Sequence, residues 1–156
     1  MKNTDHFTDK LISDFSDPAF QKAFKQYFSE LEVEVEDWDD LFRQMNDEGG
    51  NLAFVRLDEN NETIGFVEFQ PIVFKSWFFE ETYGFIREFW VDPKYRGKRH
   101  GSELLKLAEQ YMSQQGIESF ILTSDTAPDF YFKNGYERAP GCKALNNDDV
   151  FIKRLK

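Results

Sequence analysis

The sequence is short of the residues that carry metal and redox chemistry: one cysteine and two histidines in 156 positions. Cys142 alone cannot close an intramolecular disulfide. It suits a reducing compartment and reads as a structural thiol. His6 and His100 lie far from each other and from Cys142, so no metal-site spacing exists and no metal is expected. No apolar run approaches the roughly 18 residues of a membrane span. The polar start, MKNTDHFTDK, is not a signal peptide. Positive charge is also scarce: 19 Lys and Arg stand against 29 Asp and Glu, a net charge of -10. That balance disfavours nucleic acid and membrane surfaces as partners. Internal repeats, linkers and low-complexity tracts are absent. The expectation is one soluble, cytoplasmic, globular domain over residues 1–156, long enough for a real core.

Acid and phenylalanine are what the chain has in quantity. Residues 1–50 hold thirteen acids against five Lys and Arg, and nine of those acids fall between Glu30 and Glu48. This is a solvated face or an acidic wall that attracts a cationic substrate. The 18 phenylalanines leave room for an apolar interface, so monomer and homodimer both stay open.

Periodicity gives alternating elements. A short strand is expected over 7–14. Pro18 opens a helix with Phe20, Phe24, Tyr27, Phe28 and Leu31 at helical spacing. A second helix runs from Asp37 to Met45 and ends at Gly49-Gly50. Leu52–Leu57 and Ile64–Phe74 read as strands joined by the polar DENNET turn. Pro71 in the second of these marks a bulge or an edge. Tyr83–Val91 is a fourth strand, Ser102–Gln114 a clear amphipathic helix and Phe120–Thr123 a buried strand. A short helix, Ala127–Asn134, closes at Gly135. Tyr136–Ala139 and Val150–Leu155 form a last pair of strands. The order fits a mixed α/β domain.

The segment YRGKRHGSELL gathers Arg96, Lys98, Arg99 and, if protonated, His100 around Gly97 and Gly101, just ahead of a helix. A helix start carries unpaired N–H groups and about half a positive charge, and glycine lets a ligand approach the backbone. Together these make a phosphate site. Neither G-x-x-x-x-G-K-[ST] nor G-x-G-x-x-G occurs, so it is neither a P-loop nor a dinucleotide fingerprint.

The stretch IREFWVDPKYRGKRHGSELLKLAEQYM resembles the coenzyme A signature of the GNAT superfamily of N-acetyltransferases. A strand ends in V-x-P (Val91, Pro93), and [QR]-x-x-G-x-[GA] follows (Arg96 to Gly101). TAPDFYFKNGY resembles the family's second signature through Ala127, Phe130, Tyr131, Lys133, Gly135 and Tyr136. Arg99 replaces the family's middle glycine. If the position needs positive φ, arginine strains it by about 1 kcal/mol or more; alternatively its guanidinium adds a phosphate contact. Ser124 stands where the family often has Asn.

The resemblance implies an α/β (α+β) fold: a single GNAT-like domain with a mixed, mostly antiparallel sheet flanked by helices, its central strands splayed. It implies an acetyl-CoA-dependent N-acetyltransferase acting on a primary amine of a small molecule or peptide. Arg96, Gly97, Lys98, Arg99, His100 and Gly101 would hold the pyrophosphate. Phe89, Trp90 and Val91 would hold the pantetheine arm and thioester, with Ser124 and Lys133 also touching the coenzyme. Tyr131 would donate a proton to the leaving sulfur.

The general base is less defined. Many family members place a carboxylate earlier on the fourth strand, where Phe85 and Arg87 stand here. Glu88 is adjacent, and alternation sends it to the other face unless a bulge resets the register. Glu88 is the candidate base; Glu80, Glu81 or a water chain are other routes. The acid-rich segment points to a cationic acceptor, whereas Arg87 would suit a carboxylate-bearing one. The competing readings are an acetyl-CoA-binding module with little or no transfer, and an unrelated anion-binding α/β protein.

Overall fold

The computed structural model describes residues 6–142 and 144–155. The first five residues, part of the stretch read above as no leader, lie outside them. Two compact units divide the chain: residues up to 68 with 88–108, and 69–87 with 109–156. Among the described residues seven strands, β1 (7–12), β2 (52–58), β3 (63–75), β4 (80–91), β5 (119–124), β6 (137–138) and β7 (149–154), are hydrogen-bonded in the order β1-β2-β3-β4-β5-β7-β6.

The first unit begins with β1 (Phe7–Ile12), α1 (Pro18–Glu30), α2 (Trp38–Glu48) and β2 (Leu52–Asp58). Local chemistry starts each helix. The Asp17 carboxylate accepts the N–H groups of Ala19 and Phe20 at 2.9 and 3.1 Å, and Pro18 takes the first helical position. Asp37 caps α2 through the N–H of Asp40 at 3.0 Å, and Gly49, at φ 74°, ends it. β1 and β2 pair antiparallel from Phe7–Asp58 to Ile12–Ala53. The Asp58 carboxylate then caps the DENNET turn through the N–H groups of Asn60 and Glu62, which leads into β3 (Thr63–Lys75).

Phe20 and Phe24 of α1 lie edge-on or tilted against Phe66 of β3, with ring centroids 5.6 and 5.7 Å apart. Ile12, Phe15, Ala53, Val55, Phe42 and Trp90 complete this core. Each such aromatic contributes about 1.5–3 kcal/mol on burial. Leu31, expected on the same stripe, is the exposed residue that ends α1.

The second unit holds the later half of β3, the start of β4 (Glu80–Val91), the end of α3 (His100–Ser113), β5 (Ser119–Ser124), α4 (Pro128–Lys133), β6 (Glu137–Arg138) and β7 (Asp149–Arg154). β5 and β7 pair antiparallel along their whole length. β4 meets β5 in parallel at two positions only, Gly84–Phe120 and Phe85–Ile121. At Gly84 a Cβ would stand 2.7 Å from Met112 Sδ and from a Phe120 ring carbon, so a larger residue there must displace those side chains. Tyr136 is fully buried and donates to Glu109 at 2.7 Å, and Lys153 holds the other Glu109 oxygen at 2.8 Å. Pro71 is exposed on β3. β2 has seven residues and β3 thirteen, so from their shared turn β2 runs out before Pro71. An exposed proline on this strand suits the bulge or edge position expected.

Boundaries differ from the sequence reading mainly at three places. β4 begins at Glu80, three residues early, and β6 shrinks to two residues. α3 begins at His100, two residues early, because the Arg99 carbonyl accepts the N–H of Glu103 at 3.0 Å and starts the helical ladder there.

Candidate active site

The first unit builds the end of β4 and the loop that follows. The N–H of Asp92 donates to Ile64 of β3 at 2.8 Å. An antiparallel strand alternates the direction of its main-chain groups, so Trp90 also faces β3 while Phe89 and Val91 face the opposite edge. Gly65 permits this closeness: a Cβ would sit 2.5 Å from the Trp90 carbonyl oxygen and 3.1 Å from Val91 Cα. Of the three β4 residues expected along the pantetheine arm, Phe89 and Val91 thus present main chain on the edge away from β3, and Trp90 does not. The same Gly65 position lies 3.3 Å from Leu104 of α3. Its neighbour Phe66 packs on α1, so α1 and α3 cover opposite faces of this part of β3.

Asp92 caps a single 3₁₀ turn, Pro93–Tyr95, that carries the chain out of β4. The loop then turns left-handed twice, at Gly97 (φ 80°) and at Arg99 (φ 71°). Gly101 lies in the first turn of α3. The N–H groups of His100, Gly101 and Ser102 precede the first helical hydrogen bond and point back out of the helix end. Arginine in the left-handed region costs about 1 kcal/mol or more. A cation at a helix start also opposes the macrodipole. Lys98 and Arg99 are exposed, and neither forms an ion pair among the described residues. Lys98 lies over the Tyr95 ring at 5.9 Å.

Arg96 and His100 both have partners within the chain. Arg96 Nη2 lies 2.7 and 2.8 Å from the two oxygens of Glu30, and its Nε donates to the Val91 carbonyl at 2.8 Å. It ties the loop to the end of α1. The Trp90 indole N–H donates to the same Glu30 carboxylate at 2.7 Å. These two donors, Trp90 first, hold the Glu30 carboxyl below the usual carboxylate range. His100 is buried, and its Nδ1 sits 3.1 Å from Arg56 Nη1. Guanidinium has no acceptor, so Nδ1 must accept and the contact requires that nitrogen unprotonated. Arg56, itself buried, is held by Asp9 at 2.7 Å and by Glu103. The His100 ring therefore belongs to the interior and not to the loop's exposed cations.

Glu88 turns towards α1, where the Tyr27 hydroxyl donates to its Oε2 at 2.9 Å. Tyr27, read from the sequence only as part of an apolar stripe, is packed edge-on against Phe66. Phe85 is partly buried and Arg87 exposed. Of the acidic segment, Glu32, Glu34, Glu36, Asp37 and Asp39 are exposed. Glu80 pairs with Lys75 at 3.4 Å and Glu81 with Arg154 at 3.0 Å.

In the second unit, Tyr131 packs between Phe130 and Phe151, with ring centroids 5.2 and 5.3 Å away. Burial pushes its phenol above the usual value, and a hydrogen bond with the Ser124 hydroxyl acts in the opposite direction. The phenol therefore stays protonated across neutral pH. Ser124 also donates to the Thr126 carbonyl at 2.7 Å, which fixes the turn after β5. Ala127 enters α4 left-handed (φ 52°), and Gly135 leaves it at φ 93°. Lys133 is exposed in the last turn of α4. Among the described residues no cluster of His, Cys, Asp and Glu could hold a metal ion, and no helix is long and apolar enough to cross a membrane.

The sequence model of the acetyltransferase (GNAT) family matches residues 12–136, and the chain belongs to that family. With the family come the enzyme class, N-acetyltransferase, and the acetyl donor, acetyl-CoA. Solved structures show the same fold at low identity. A GNAT family N-acetyltransferase (YhbS) from Escherichia coli, in complex with CoA, is 18% identical with a TM-score of 0.73, covering 100% of this chain and 85% of that one. An acetyltransferase of the GNAT family from Staphylococcus aureus Mu50 is 15% identical with a TM-score of 0.68, covering 96% and 100%. An aminoglycoside acetyltransferase from an uncultured soil metagenomic sample, in complex with sisomicin, is 18% identical with a TM-score of 0.65, covering 81% and 83%. No curated protein matches the sequence.

Proposed function

We propose that this acetyltransferase acetylates the primary amine of a cationic small molecule or peptide, holding acetyl-CoA at the loop from Arg96 to Gly101. The observation that carries the reading is the entry to α3. Two left-handed residues and two exposed cations stand against a helix end whose N–H groups point outwards. An arriving pyrophosphate offsets both the adverse dipole and the mutual repulsion of Lys98 and Arg99. The residues present thus fit the coenzyme, with Arg96 acting as a brace for the loop.

When bound, acetyl-CoA supplies a thioester whose carbonyl carbon the amine attacks and whose thiolate leaves. Phe89 and Val91 are assigned to the pantetheine arm, and a main-chain N–H on that edge polarises the carbonyl as charge develops. Ser124 and Lys133 are assigned to the coenzyme as well. Glu88 takes a proton from the acceptor ammonium, directly or through water, with its Oε2 held by the Tyr27 hydroxyl. Tyr131 donates its phenolic proton to the departing sulfur. A buried phenol is a weaker acid than a thiol near ~8.5, so the transfer supports departure without driving it.

The exposed acids of the α1–α2 connection and of the first turn of α2 support a cationic acceptor. The sisomicin-bound neighbour acts as an example of the fold serving such a ligand. Arg87, exposed on β4, favours the second class, an amine that also bears a carboxylate. Thiol release from acetyl-CoA against a panel of polyamines, amino-sugars, basic peptides and acidic amino acids tests the reading. Turnover confined to acidic amino acids would reverse the acceptor assignment. Tight coenzyme binding with no release on any amine would make the chain a binding module.

A further inference from the structure

The hairpin joining β3 to β4 ends in five apolar side chains in water. Trp77 is 95% exposed and Phe78 97%, and Val73, Phe74 and Phe79 are each about half exposed. The turn itself is ordered by the Ser76 N–H donating to the Phe79 carbonyl at 2.6 Å. Aromatic side chains offer about 150–250 Å² each, so the tip presents roughly 650–700 Å² of apolar surface. The largest apolar patch on a typical monomer is about 300–600 Å². A standard two-protein interface takes about 800 Å² from each partner.

We infer that this tip is the self-association surface of the protein, covered by the same tip of a second copy about a two-fold axis. Charge favours that occupant. Lys75 on the incoming strand and Glu80 on the outgoing strand flank the patch, 3.4 Å apart and both largely exposed. A two-fold axis normal to the plane of the hairpin sets each lysine opposite the partner's glutamate, so the surface can complement itself. An anionic bilayer is opposed by Glu80, Glu81 and the net charge of -10. Extension of the sheet through β3 is opposed by Pro71, which has no N–H to give. The contact is therefore one of side chains at the tip and not of strand edges.

Sedimentation equilibrium of the full chain between about 1 and 100 µM reads the result. The wild type is expected at twice the 18.5 kDa chain mass. Trp77→Ser with Phe78→Ser should weaken association at least 100-fold while the melting temperature stays unchanged, since these side chains have almost no surface covered within the chain. Lys75→Glu should also weaken it, and Lys75→Glu with Glu80→Lys should restore it. A wild type that is monomeric throughout overturns the inference. So does a dimer that survives the double serine change, or one that the charge exchange fails to restore. Tip-dependent co-sedimentation of monomeric wild type with phosphatidylcholine vesicles would overturn it in favour of a membrane.

Discussion

Replacing Arg99 with glycine should make the free protein more stable and its coenzyme binding weaker. Arg99 holds φ 71° at the residue whose carbonyl starts α3. Relief of that conformation is worth about 1 kcal/mol. Removing a cation from the positive end of the helix adds about 0.3–1 kcal/mol, least at high salt. The greater freedom of glycine in the unfolded chain takes back about 0.4–1 kcal/mol. The net gain is about 0.3–1.6 kcal/mol, which for a chain of this size raises the melting temperature by about 1–6 °C. The lost guanidinium acts in the other direction on acetyl-CoA. An exposed charge-assisted contact of about 0.5–1.5 kcal/mol corresponds to a dissociation constant roughly two- to twelvefold higher. That loss should shrink as salt rises. Thermal melts without ligand and calorimetric titrations of acetyl-CoA at two salt concentrations separate the two effects. A lower melting temperature would refute the strain argument. An unchanged affinity at low salt would refute the phosphate contact.

Other substitutions probe the supporting structure. Gly65→Ala places a Cβ 2.5 Å from a backbone oxygen, so β3 and β4 must part. A loss of about 1–3 kcal/mol in denaturant unfolding is expected, together with weaker coenzyme binding. Glu88→Gln keeps an oxygen for the Tyr27 hydroxyl, so folding should hold while kcat falls about 10²-fold, and full kcat with chemistry limiting would remove Glu88 from the role of base. Tyr131→Phe should leave folding and acetyl-CoA affinity nearly unchanged and lower kcat about 10²-fold, near the low end for general acid catalysis. Full kcat in that variant, with chemistry limiting, would make Tyr131 a packing residue. Glu30 has a lowered carboxyl pKa, so its contribution to stability is present above its unfolded value of 4.5 and is lost as pH falls through the folded value. Glu30→Gln should flatten that part of the acid unfolding curve and cost only about 0.5–1 kcal/mol at neutral pH, because the Arg96 pair is partly exposed.

The parts legible in the sequence were those that local chemistry controls. Pro18, Asp37 and Gly49 fix helix ends within one turn, and helical spacing found the Phe20–Phe24 face that packs on Phe66. The two signatures located the loop, and the demand for positive φ at Arg99 could be posed from the motif and is met in the structure. What spacing could not reveal was which cations the fold consumes. Arg96 is taken by Glu30, 66 positions away, and the His100 ring by Arg56, 44 positions away. Tyr27 and Glu88 are 61 apart, and neither carries a local signal for the other. Strict alternation set Glu88 against Phe85 and Arg87 but could not say what it would face. Tyr27, Glu30 and Trp90 entered the sequence reading as core, acidic wall and main chain. Their side-chain roles arise only when α1 is laid against β4.

The most direct test of the account is the affinity of Gly101→Val for acetyl-CoA. Valine in the first turn of α3 keeps the helix but sets a branched side chain at the proposed coenzyme site. With wild-type circular dichroism and melting behaviour retained, the dissociation constant should rise at least tenfold, by about 1.4 kcal/mol or more. An unchanged dissociation constant in a folded variant would contradict the placement of the coenzyme at this loop.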